Sequence, residues 1–137
     1  PRLRGWRGPA WSLLLPPGWQ ELSGRPLPEI CAYQWATTNR IILDDLESIG
    51  AARWVACDYD DLIQRTPECI QGICDFAGLE WDDRLQRRTA GPLPLSRYTH
   101  TAPDPDKWRR NEDLIRPVLG SVEAVRRRCE AVVRQRR

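Results

Sequence analysis

The chain has 137 residues, the length of one ordinary domain, with 41% hydrophobic and 29% charged residues and a formal net charge of +2. So balanced a charge gives no bulk reason to bind nucleic acid or a membrane surface, and no apolar run approaches the roughly 18 residues of a membrane span. Twenty of the 21 basic residues are Arg, and there are 12 Pro, 7 Trp and no Met. The lack of Met, even at position 1, reads as an internal fragment of a longer protein.

Residues 1–28 are rich in Gly, Pro and Trp and show no sustained period. They read as an ordered loop pinned by Trp6, Trp11, Leu13, Leu15 and Trp19, since so many large apolar groups resist full solvation. Residues 29–49 predict the longest helix. Cys31, Trp35, Thr38, Ile42, Leu46 and Ile49 recur at three- and four-residue steps, with Trp35 expected in the core, and Gly50 closes it. Trp54-Val55-Ala56-Cys57 then has the length and content of a buried strand, at about 54–58. It gives way to the polar run Asp58-Tyr59-Asp60-Asp61, read as a loop.

Thr66-Pro67 starts a second helix, with Thr66 accepting a free backbone N–H and Pro67 in the first turn. Ile70, Ile73, Cys74 and Ala77 share one face, and Gly78 supplies a left-handed end. Residues 81–88 predict a short helix with acids first and bases last. Residues 90–106 carry four Pro and read as loop. Terminal helices cover 112–137, kinked or divided at Pro117, with Val122, Val125, Cys129, Val132 and Val133 on one stripe. No internal repeat occurs. A lone buried strand leaves both edges unpaired, so the sheet is expected to be completed by polypeptide outside this sequence.

Five Cys, at 31, 57, 69, 74 and 129, form no C-x-x-C pair and no zinc spacing, which reads as reduced, buried thiols in a cytoplasmic protein. Cys57 and Cys74 are expected to be core residues. Asp58, Asp60 and Asp61 lack the spacing of a calcium loop and read as capping groups rather than a metal site. Arg126-Arg127-Arg128 and Arg134 to Arg137 lie opposite the valine stripe and read as a solvated helix face rather than an RNA site. The segments Ser96 to Thr101 and Asp106 to Asn111 concentrate donors beside an aromatic ring. Arg binds phosphate bidentately, Lys as a point charge, and hydroxyls fill the remaining acceptors. By composition alone that cluster reads as a solvated loop, as most Arg-rich loops are.

Val55 with Tyr59-Asp60-Asp61-Leu62, then Pro67, then Ile70-x-x-x-Cys74-x-Phe76-x-Gly78-Leu79, resembles the late strand and helix of the sulfotransferases. Pro94-Leu95-Ser96-Arg97 and Pro103-x-Pro105-Asp106-Lys107-Trp108-Arg109-x-Asn111 resemble the C-terminal part of the bacterial members. Trp6 to Trp19 and Cys31-Ala32-x-Gln34-Trp35-x-x-x-Asn39 add to the match, which covers about 5–120. The resemblance implies an α/β fold with a P-loop-like parallel sheet, of which residues 1–137 are the C-terminal half, mostly helical with one main strand. Within it 1–28 is a Trp/Pro-rich loop, 29–79 helix–strand–helix, 90–111 the nucleotide loop and 112–137 terminal helices.

The resemblance further implies sulfuryl transfer from 3′-phosphoadenosine 5′-phosphosulfate to an acceptor hydroxyl or amine, with no metal. Tyr59 corresponds to the adenine contact. Ser96 and Arg97 correspond to the phosphate-gripping segment, and Lys107-Trp108-Arg109 to the family's Trp-Lys pair, although the Lys here precedes the Trp. The 5′-phosphosulfate loop, the middle-strand Arg and Ser pair and the usual catalytic base are not found. His100, the sole His, lies in the late loop, so no catalytic residue is assigned. The chain is therefore expected to be inactive alone and to need the missing N-terminal half. The alternative reading is a non-catalytic helical interaction module.

Overall fold

The structure is a computed structural model that describes residues 4, 14–95, 97, 99 and 101–136. Its residues group into two compact units, Pro1–Ile49 with Pro105–Glu130, and Gly50–Asp104 with Ala131–Arg137.

In the first unit a 3-10 turn, Trp19–Leu22, precedes the long helix α1, Leu27–Ile49. The helix forms where the sequence places it. Its buried stripe does not. Ile30, Thr37 and Leu43 are buried, whereas Trp35, Ile42 and Ile49 each keep about two-fifths or more of their surface exposed. The helix carries two apolar stripes, and the buried one meets the segment before it at Ile30. Leu22 and Ile30 form the small core, with Trp19 against them. Tyr33 Oη donates to the Pro17 carbonyl at 2.8 Å, and Gln34 Nε2 to the Leu14 carbonyl at 2.7 Å. Those two bonds tie the segment to the helix. Trp6, Trp11 and Leu13, expected to pin residues 1–28, lie outside the described residues.

Later in this unit come a 3-10 turn at Lys107–Asn111, a single helical turn at Glu112–Ile115, a 3-10 turn at Arg116–Val118 and the helix Leu119–Arg136, which belongs to this unit as far as Glu130. Pro117 divides this stretch because it lacks the N–H that a continuous helix needs there. Arg128 Nη2 reaches Asp44 and Glu47 at 2.8 Å each, linking the last helix to α1.

The second unit contains α2 (Tyr59–Gln64), α3 (Thr66–Ala77) and α4 (Asp83–Thr89). We number the helices already met at Glu112–Ile115 and Leu119–Arg136 as α5 and α6. Asp58 caps α2, accepting from the amides of Asp60 at 2.9 Å and Asp61 at 3.3 Å. The polar run after residue 57 is therefore mostly helix, begun by the acid that was expected to cap. Gly78 ends α3 at φ 65°, the left-handed position predicted for it. The Thr66 hydroxyl does not cap α3 but donates back to the Leu62 carbonyl at 2.6 Å. Asp82 caps α4 through the Leu85 amide at 2.8 Å, with Asp83 in the first turn and Arg87 and Arg88 in the last.

The expected α/β class is overturned. Among the described residues there is no strand, so the P-loop-like parallel sheet expected from the resemblance is absent there and the architecture is helical. The run at 54–58 shows why. Trp54 and Asp58 are both extended, at φ −152°, ψ 157° and φ −72°, ψ 139°. Burial alternates along it as in a strand, with Trp54, Ala56 and Asp58 half-buried and Val55 and Cys57 exposed. Residue preference sets an extended backbone, but a strand exists only when a second extended segment supplies its hydrogen bonds.

Candidate functional site

The residues expected to hold a nucleotide fall in both units. Tyr59 opens α2, where the Asp58 cap fixes the backbone, and its ring is 65% exposed. Arg97 belongs to the same unit and is exposed. Ser96 lies outside the described residues, as do Tyr98 and His100. Lys107, Trp108 and Arg109 belong to the first unit, on the 3-10 turn that opens at Lys107.

Of this set the structure brings together Trp108 and Arg109. The Arg109 guanidinium lies 5.2 Å from the centroid of the Trp108 ring, within cation–π range. Arg109 Nε also donates to Asp106 Oδ1 at 2.7 Å. Arg109 thus has one donor on a carboxylate and keeps others for an anion. An incoming phosphate competes with Asp106 for the charge, a modest barrier because both groups are well exposed.

In the second unit a groove of about 460 Å³ runs between the extended segment and α3. Val55, Ala56 and Cys57 form one wall, Cys69, Gly72 and Ile73 another, and Asp58, Asp61, Arg65 and Glu68 its charged rim. Asp61 holds Arg65 at 2.8 Å, which keeps that guanidinium firmly protonated. Desolvation at the wall pushes the Cys57 thiol above its ordinary pKa, and the neighbouring Cys69 and the carboxylates of Asp61 and Asp58 push it further. Cys57 was expected in the core and is exposed instead. Cys74, on the apolar face of α3, is buried as expected.

A second groove, of about 580 Å³, belongs to the first unit and is strongly apolar. Leu27, Cys31 and Trp35 of α1 face Leu114, Leu119 and Val122 across it. Sequence reasoning missed it because the Cys31–Trp35 stripe was taken as core. The signal was present, since α1 carries more apolar positions than one narrow stripe requires. Among the described residues no group of three or more His, Cys, Asp and Glu side chains is arranged to hold a metal. Nor is any described helix long and apolar enough to cross a membrane.

No family model, curated protein or solved structure matches the chain.

Proposed function

We propose that the chain takes part in sulfuryl transfer from 3′-phosphoadenosine 5′-phosphosulfate, supplying the adenine and 3′-phosphate side of the donor site. The observation that carries the reading is the ordered series of motifs, from Tyr59-Asp60-Asp61-Leu62 to Lys107-Trp108-Arg109, that resemble those of bacterial sulfotransferases. The proposal rests on these residues and does not require the parallel sheet. Tyr59 offers an exposed ring for stacking on adenine. In the same unit Arg97 offers positive charge for phosphate, and in the other unit, taken by itself, Lys107 offers charge beside an Arg109 guanidinium steadied by Trp108. Transfer itself needs cations on the developing charge and a base for the acceptor, and neither role is assigned to a residue of this chain. A further polypeptide supplies them.

The test is calorimetric titration with 3′-phosphoadenosine 5′-phosphate, alongside an assay for transfer to phenol and sugar acceptors. Saturable binding that weakens about tenfold or more in Tyr59→Ala and in Arg97→Ala is expected, with no transfer by the chain alone. Absent binding, or binding indifferent to both substitutions, rejects the donor-site reading. Transfer by this chain alone rejects the division of labour.

The second reading, a non-catalytic helical interaction module, is favoured by the apolar groove between Trp35 and Leu114. An open apolar surface of this kind is a common mark of a docking site. It predicts that Tyr59→Ala and Arg97→Ala change nothing, whereas Leu114→Ser weakens association.

A further inference from the structure

Five cysteines with no framework spacing read as independent thiols, and three of them fit that description. Cys74 is buried within α3, and Cys31 and Cys129 belong to the other unit. Cys57 and Cys69 differ from these three. Cys57 ends the extended segment, Cys69 lies in the first turn of α3, and both line the same groove. Cys69 also lies near enough to raise the pKa of the Cys57 thiol. Cys57 is exposed and Cys69 half-buried. Two thiols lining one groove, one open to solvent and one half-buried, have the arrangement of an attacking and a resolving cysteine.

We propose that Cys57 and Cys69 form a redox-active dithiol, which a small-molecule disulfide of the glutathione type closes into a disulfide across the groove. The Cys57 thiol gives its proton to water, and its sulfur attacks one sulfur of the oxidised reagent. A mixed disulfide forms and one reduced glutathione leaves. The Cys69 thiolate then attacks the Cys57 sulfur, forming the protein disulfide and releasing a second glutathione. Two protein thiols are oxidised and one small disulfide is reduced to two thiols. The new bond encloses residues 57–69, and with them all of α2, so oxidation clasps this helix against α3.

The surroundings set the rate. Asp58, Asp61 and Glu68 on the groove rim disfavour a thiolate, while Arg65 is engaged by Asp61. Exchange is accordingly slow at neutral pH and accelerates as the pH rises towards the thiol range. The Cys57 sulfur also points its hydrogen at the Asp58 carbonyl, 3.5 Å away, a bond it gives up on ionising.

The experiment uses the whole chain, reduced, freed of reductant and treated with oxidised glutathione. Non-reducing peptide mapping is expected to show a single crosslink, Cys57 to Cys69, and an intact mass lower by two hydrogen atoms. In Cys69→Ser the resolving step is lost, and glutathione remains on Cys57. In Cys57→Ser the half-buried Cys69 takes up glutathione at least about tenfold more slowly, following its lower access. Stable glutathione on Cys57 of the wild-type chain, a crosslink to any other cysteine, or no oxidation of the pair each overturns the proposal. The wild-type map decides the matter even where a variant fails to fold.

Discussion

Gly18 marks the bend that lays the segment before α1 onto that helix, and replacing it with Ala tests how the first unit is held. The residue has φ 80°, in the left-handed region, and a Cβ placed there would lie 2.6 Å from the Tyr33 hydroxyl oxygen. That hydroxyl is the one that donates to the Pro17 carbonyl. The left-handed backbone costs an L residue about 1–2 kcal/mol. Pushing the hydroxyl aside loses a hydrogen bond worth about 1 kcal/mol net. Gly18→Ala should therefore destabilise the unit by about 2–3 kcal/mol, and Tyr33→Phe by about 1 kcal/mol. In the Tyr33→Phe background the clash is gone, so Gly18→Ala should cost only the backbone part, leaving a coupling of about 1 kcal/mol. Urea titration of the four proteins, followed by hydrogen exchange of the α1 amides, measures the cycle. Equal costs in both backgrounds would refute the role of the hydroxyl. A neutral Gly18→Ala would refute the bend itself.

Two further outcomes follow from local geometry. Asp58→Ala removes the acceptor from two amides at the head of the six-residue α2, and should cost about 1 kcal/mol. Faster exchange of the Asp60 and Asp61 amides reads it out, and Asp58→Asn should restore much of the protection. In α6, hydrogen bonds from Arg126 and Arg127 hold the Glu123 carboxyl down at about 2, below its ordinary 4.5. A lowered carboxylate pKa adds stability that is present above the unfolded value and lost as the pH falls through the folded one. The helical signal of α6 should thus decline between about pH 4.5 and 2, and that step should be missing in Glu123→Gln.

Much of the helical content was legible from residue order alone. The Thr66 to Gly78 helix follows from its apolar face, its early Pro and its final Gly, all of which act within a few residues. The same holds for the α1 span and for the acids and bases at the two ends of α4. The candidate site was legible only as residue types in order. Which of Tyr59, Arg97, Lys107, Trp108 and Arg109 meet is a matter of placement, and of these the structure pairs Trp108 with Arg109.

The sequence by itself determined the spans of α1, α3 and α4 and the extended run at Trp54 to Asp58, though not α2, because caps, proline and side-chain branching act locally. Tertiary structure alone decided which α1 stripe is covered, and that Trp54 to Asp58 remains a single extended segment. It also decided that Cys57 and Cys69 line one groove. Burial and pairing need a second surface, and a residue pattern states that a surface is wanted without stating which one arrives.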